Sequence, residues 1–249
     1  TVVSQAVSVL LCLEFVRRRV PVLRLRRHDW RVTRSDLGRH LRLGLPMGFQ
    51  ASIIAIGTLA VQVRLNELGA DAVASYTTAS RVDGLAIALL MSLGLATSMY
   101  VAQNHGGGRP DRIRRGVVQA VWMALVAAVV LGVLLIVFGV QLVRLFVGDG
   151  SDAVVHDAAL MLIINGSTYG MLAVLFVLRG TLQGLGHTMI PTVTGVVELV
   201  ARVSAAVVLG AIFGFVGVAW SNPLAWLGAV VMVFGGLLSL SDRRLRVVA

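Results

Sequence analysis

Long runs without a charged side chain alternate with short polar segments along this chain. Residues 43–63, 84–108, 116–143, 158–178 and 203–241 contain no Asp, Glu, Lys or Arg. About 20 apolar residues at ~1.5 Å rise cross a ~30 Å hydrocarbon core, so each run is long enough to span a bilayer. The pattern predicts complete spans at 44–63, 80–103, 117–141, 155–178, 189–211 and 215–238, with a turn between Gly210 and Gly217 dividing the last two. Ahead of them Thr1 to Leu13 is apolar and precedes a basic run, the reverse of a signal peptide. Residues 1–16 therefore read as the end of a truncated transmembrane helix, 17–42 as a basic cytoplasmic loop, 43–240 as a six-helix lobe and 241–249 as a basic cytoplasmic tail. Only helices satisfy so many backbone groups in lipid, so the expected fold is all-α, a polytopic transmembrane helical bundle.

Composition agrees: 57% of residues are hydrophobic, 14% are charged and the mean hydropathy is +0.87. The net charge of +10 comes from 22 basic residues, every one of them Arg. A charge this large would suit nucleic acid if it were clustered on a groove. Instead ten arginines fall between Arg17 and Arg42, four between Arg109 and Arg115 and three at Arg243, Arg244 and Arg246. That placement excludes a nucleic-acid partner and marks the inner face of a plasma membrane, the lipid bilayer itself being the partner. Loops 17–42, 104–116 and 179–188 and the C-terminus are expected in the cytoplasm, and 64–79, 142–154 and 212–214 outside. The single Cys12 excludes an internal disulfide, and no Cys/His set has metal-ligand spacing.

Prolines and glycines add local expectations. Pro46 and Pro191 stand near predicted span starts, where a missing N–H costs little, whereas Pro223 should bend the last span and free a carbonyl for Ser221, Asn222 or water. The pairs Gly44/Gly48 and Gly166/Gly170 have the small-xxx-small spacing that lets helices approach closely.

No catalytic constellation can be assembled, and Gly106–Gly108 lacks the Lys-Ser/Thr of a phosphate loop, so the chain is not read as an enzyme and needs no cofactor. Ionisable residues at membrane depth are costly and are functional candidates by default. Glu198 and Arg202 are four apart on one helix face and can neutralise each other. Arg81 and Asp83, two apart, should point in different directions and find separate partners. Gln50, Gln62, Asn165, Thr168 and Tyr169 interrupt apolar spans and each needs a hydrogen-bond partner. Gln50, Asn165, Tyr169, Glu198 and Arg202 are the candidates for a cavity or gate, and Asp83 and Glu198 for a coupling-ion site. Met91 and Met99 offer adaptable apolar surface.

Five segments resemble the multidrug and toxic compound extrusion (MATE) family, especially its bacterial branch related to the DNA-damage-inducible transporter. Leu43-Gly44-Leu45-Pro46-Met47-Gly48 resembles the opening of the family's seventh helix. Asn66 through Gly69 follows, and Ala79-Ser80-Arg81-Val82-Asp83 is similar to the opening of the eighth. Gln103-Asn104-His105-Gly106-Gly107-Gly108-Arg109 is similar to a cytoplasmic Gln-Asn-x-Gly-Ala-Gly loop, with Gly107 where Ala is usual. Leu178 through Thr188 resembles the loop between the tenth and eleventh helices, with His187 where an acid is common.

The resemblance implies the end of helix six and the whole second lobe of a twelve-helix secondary transporter. Such antiporters export cationic or amphipathic organic compounds by alternating access, coupled to inward proton or sodium flow. Both lobes are needed to wall the central cavity, so an N-terminal six-helix lobe is an expected partner, and this chain alone is not expected to transport. A lipid-linked saccharide flippase of related fold is the alternative within transport; it predicts a strongly cationic cavity, whereas the sequence places only Arg202 deep. A half-size membrane assembly subunit is the alternative outside it.

Overall fold

The computed structural model describes residues 2–20, 33–147 and 151–245. The chain divides into two units, residues 1–44 and 45–249. The first contains α1 (Val2–Arg19), with no buried residue, and the start of α2 (Arg34–Leu68). Thr33 caps α2, its Oγ1 accepting the Asp36 N–H at 3.2 Å while donating to the Asp36 carboxylate at 2.5 Å. Helix therefore begins ten residues before the predicted span, and Pro46 lies inside α2 rather than in its first turn.

The second unit continues through α3 (Ala70–Gly106), α4 (Pro110–Val147), α5 (Asp152–Gly184), α6 (Met189–Phe213), α7 (Phe215–Ala219) and α8 (Ser221–Leu245). Among the described residues six stretches are long and apolar enough to cross a membrane, α7 with the first part of α8 making the sixth, so the all-helical polytopic bundle is as expected. The helices overrun the predicted spans and shrink the loops. The expected loop 64–79 reduces to Gly69, whose φ of +107° ends α2 and admits α3 at the next residue. Likewise the expected loop at 179–188 begins only after Gly184, so Arg179 belongs to a helix and is buried.

α5 sits at the centre, packed against α3, α4 and α8 and buried round most of its circumference. Small side chains make this possible, because in lipid helices associate by close packing rather than by escape from water. A Cβ on Gly180 would lie 2.2 Å from the Gly94 carbonyl oxygen, and one on Gly184 would lie 2.5 Å from that of Ser98. On the other side Gly132 of α4 meets Gly166, where a Cβ would come within 2.5 Å of the Gly166 carbonyl. α4 turns Ala124, Ala128, Gly132, Leu135, Gly139 and Val143 inward and leaves Val126, Val129, Val133 and Val137 exposed, as a peripheral helix with a lipid face should. Gly166 thus serves the expected packing role, whereas no atom lies within 4 Å of a Cβ at Gly44 or Gly48.

The last span departs from expectation. Pro223 falls in the first turn of α8, and the break lies before it, at Trp220. The Trp220 and Leu224 N–H groups still reach carbonyls four residues back, at 3.2 Å each, but Pro223 has no N–H to offer Ala219. Ser221 does not use its hydroxyl as expected: its Oγ is buried with no hydrogen-bond partner.

Gly180→Ala is predicted to force α3 and α5 apart at a cost of about 1–3 kcal/mol. Gly84→Ala, with no atom within 4 Å of its Cβ, should instead be neutral or stabilising by about 0.5–1 kcal/mol. Thermal unfolding in detergent checks both; equal stability of the two variants would refute the close-contact assignment.

Candidate functional site

α2, α3, α5, α6 and α8 line an open-sided cavity of about 560 Å³ within the second unit. Its lining is mixed: Ile87, Met91, Leu172, Leu175, Phe176 and Trp226 are apolar, uncharged polar side chains such as Gln62, Tyr76, Ser80 and Asn222 stand among them, and its buried and half-buried charged side chains fall into two groups. This volume falls within the ~300–1,000 Å³ typical of sites for drug-sized molecules.

The first group centres on Asp83 of α3, which is 3% exposed. Tyr169 donates its hydroxyl proton to Asp83 Oδ1, and Asn165 Nδ2 donates to Oδ2 at 3.0 Å. Asn165 and Tyr169 are four residues apart on one face of α5, so the spacing that pairs residues along a helix delivers two donors to one carboxylate. Both donors are fully buried, and the tilted Trp226 ring lies 6.2 Å from that of Tyr169. Both Asp83 oxygens are thus served by neutral groups, with no cation paired to them among the described residues. Asn165 Oδ1 is buried without a partner.

The second group is ionic. Glu198 of α6 receives Arg179 Nη2 of α5 on Oε2 at 2.8 Å and Arg202 Nη2 of its own helix on Oε1 at 2.9 Å. All three side chains are nearly buried, at 9%, 8% and 13% exposure respectively. Burying a single ion costs several kcal/mol, which explains why the acid is shared by two bases. The sharing leaves one positive charge in excess, and the Nε atoms of both Arg179 and Arg202 are buried with no partner. Tyr169 and Arg179 are ten residues apart on α5, which separates the two groups by roughly 15 Å along its axis.

The structure brings together most of the residues singled out by sequence. Asp83, Glu198 and Arg202 line the cavity, and Asn165 and Tyr169 stand behind Asp83. Gln62 and Met91 also line it. Gln50 lies apart, buried beside α6 with Gln183 Nε2 3.5 Å from its Oε1. Thr168 turns its hydroxyl to carbonyls of its own helix. Arg81 and Asp83 reach the same cavity despite their spacing, Arg81 exposed and Asp83 buried. Sequence reasoning missed Arg179, because the charge-free run 158–178 stops just before it. The continuation of the helix to Gly184 was the hidden signal. Among the described residues no three His, Cys, Asp or Glu side chains come together as a metal site.

The described residues thus form a multi-pass helical unit around a cavity of mixed lining that holds buried charged groups. The MatE family model matches residues 46–208, and the chain belongs to that family, whose members are transporters and not enzymes. It is 26% identical over 199 residues to the "Probable multidrug resistance protein YoeA" of Bacillus subtilis (strain 168), covering 79% of this chain and 42% of the relative. Multidrug export protein MepA of Staphylococcus saprophyticus is 23% identical over 227 residues, 90% of this chain and 49% of the relative. A crystal structure of MATE in complex with MaL6 superposes with a TM-score of 0.86 at 19% identity, over 96% of this chain and 55% of that one. The chain thus spans about half the length of the relatives it matches.

Glu198→Gln is expected to cost about 3–5 kcal/mol by leaving two buried guanidiniums without a counter-charge. Adding Arg179→Gln should recover part of that loss. A double-mutant cycle followed by thermal unfolding measures the coupling; additive effects would show that the three charges do not act as a unit.

Proposed function

We propose that this chain forms the second wall of a secondary multidrug exporter, with the remaining half of the transporter supplying the first, and that the cavity between α2, α3, α5, α6 and α8 receives amphipathic organic substrates. Membership of the family and the names of the relatives support the transport class. The observation that carries the reading is Asp83, a carboxylate buried in the wall of a drug-sized cavity and held only by Tyr169 and Asn165.

Of the two acids considered for ion coupling, Asp83 suits the task better. Glu198 is clamped by two guanidiniums, and neutralising it would leave both without a partner. Neutralising Asp83 disturbs no ion pair. A proton on its carboxyl needs an acceptor, and Asn165 can supply one by turning its amide so that the unpartnered Oδ1 faces Asp83. Among the described residues no set of acidic side chains gathers with Asp83 to replace a sodium ion's hydration shell, which favours a proton over sodium as the coupled ion. Glu198, Arg202 and Arg179 then act as a fixed ionic brace between α5 and α6. Gln50, outside the cavity, fits a packing contact near Gly195 and Gln183 better than a substrate contact.

The membrane orientation follows from the arginines. In this reading Arg109 and the first turns of α4, with Arg112, Arg114 and Arg115, face the cytoplasm, with the C-terminal end of α8 on the same side, while Asp71 and Asp152 face outward in the cell's plasma membrane. The flippase alternative draws on Arg179, which adds a second deep guanidinium. One unit of excess charge, however, is far from a strongly cationic chamber.

Asp83→Asn should reduce pH-gradient-driven drug efflux by the whole transporter in inverted vesicles to the level of empty vesicles, with no change when sodium is replaced by choline. Retained proton-driven export would exclude Asp83 as the coupling group. For topology, Asp71→Cys in a Cys12→Ser background should react with an impermeant maleimide applied to intact cells, and Arg109→Cys only after permeabilisation. The reverse pattern would invert the assignment.

A further inference from the structure

We propose that the Arg179–Glu198–Arg202 cluster is the docking point for an anionic group, so that the cavity takes amphipathic organic anions bearing a carboxylate, sulfonate or phosphate. This rests on reading the cavity as the substrate wall of a transporter, and it departs from the cationic substrates that the sequence resemblance implies.

Three observations carry it. Glu198 has two oxygens and each already holds one guanidinium, so the cluster keeps one positive charge, and no further acid is paired with Arg179 or Arg202 among the described residues. Arg179 is 6% exposed, yet it lines the cavity and its Nε, like that of Arg202, has no hydrogen-bond partner. Both guanidiniums line the cavity with one Nη spent on Glu198 and the Nε shielded, and their remaining N–H groups belong to the planar fork that suits carboxylates and phosphates. The other acid of the cavity, Asp83, already accepts from Asn165 and from Tyr169, which lies roughly 15 Å from Arg179 along α5. Between the two groups Leu172, Leu175, Phe176 and Trp226 provide an apolar wall. An occupant that satisfies every part has an anionic head at Arg179 and Arg202 and an apolar body lying toward Trp226.

The experiment uses the whole transporter in nanodiscs of neutral phosphatidylcholine and two dansyl probes of nearly equal size and opposite charge, 6-(dansylamino)hexanoate and dansylcadaverine. Binding is read as energy transfer from tryptophan to dansyl, with Trp226→Phe identifying signal from the cavity. The carboxylate probe should bind at least about tenfold more tightly than the amine, the scale of a hydrogen bond to a charged group. Arg202→Gln, which leaves Glu198 balanced by Arg179, should abolish that preference. Arg81→Gln removes the same charge from the Asp83 end of the cavity and should preserve it.

Equal weakening by Arg202→Gln and Arg81→Gln would overturn the local site in favour of diffuse cavity charge. Tighter binding of dansylcadaverine at Trp226 would refute the anion inference and leave the drug-cavity reading standing. Binding of neither probe by folded protein would refute both. Phosphatidylglycerol added to the nanodiscs separates the sources: displacement of the carboxylate probe identifies a lipid headgroup as the anion, and undiminished binding identifies a soluble one.

Discussion

The backbone contact between α3 and α5 is the constraint on which the rest of this molecule depends. Gly94, Gly180 and Gly184 let two long helices touch carbonyl to Cα, with no room for a methyl group. That contact fixes the height and rotation of α5, and α5 carries Asn165, Tyr169 and Arg179. Without it Asp83 would lose both of its donors, and Glu198 would lose the guanidinium that comes from outside its own helix. In hydrocarbon the loss is not repaired by water, so small residues at one face protect polar residues at another.

The two polar groups solve the same problem by different means. Asp83 is stabilised by dipoles: a hydroxyl and an amide approach it, and the surrounding wall is neutral. Glu198 is stabilised by full charges that exceed its own. A charge met by dipoles can be removed while its partners remain satisfied by small rotations, whereas a charge met by charges cannot. The lobe therefore pairs a group that tolerates a change of charge with one that resists it, and their α5 partners, Tyr169 and Arg179, lie roughly 15 Å apart along one helix. Any movement of α5 that answers the first is felt by the second.

Much of this was legible in the sequence, for physical reasons that also explain what was not. Charge cannot sit cheaply in lipid, so charge-free runs gave the number and order of the spans. They could not give helix ends, because α-helices continue into water when nothing stops them; Thr33, not the first apolar residue, starts α2, and α5 runs on past Arg179 to Gly184. Glu198 and Arg202 were readable as a pair because four-residue spacing is a local rule. The contact of Asp83 with residues 82 and 86 positions away obeys no local rule and needed the fold. Likewise the glycines that matter most, Gly94 and Gly180, lie on different helices and form no motif within either. Gln50 shows the opposite failure, a polar residue in an apolar span whose partner, Gln183, satisfies it away from the cavity.

The excess positive charge bears on which ligands the proposed cavity would take. A lobe built to admit cations would be expected to leave a carboxylate free to meet them, as the resemblance suggests. Here both acids are already engaged, one by two donors and the other by two guanidiniums, while the donors of Arg179 and Arg202 are incompletely used. The unfilled hydrogen-bonding capacity of the wall is thus largely that of a donor. A cation entering it would meet repulsion from Arg202 and Arg179, and the one acid without a paired cation, Asp83, is buried with both oxygens already accepting from Tyr169 and Asn165. An anion would complete contacts that the fold leaves open, and its apolar body would replace lipid or water against Leu172, Leu175 and Trp226. Polarity of this kind separates substrate classes by repulsion as much as by attraction.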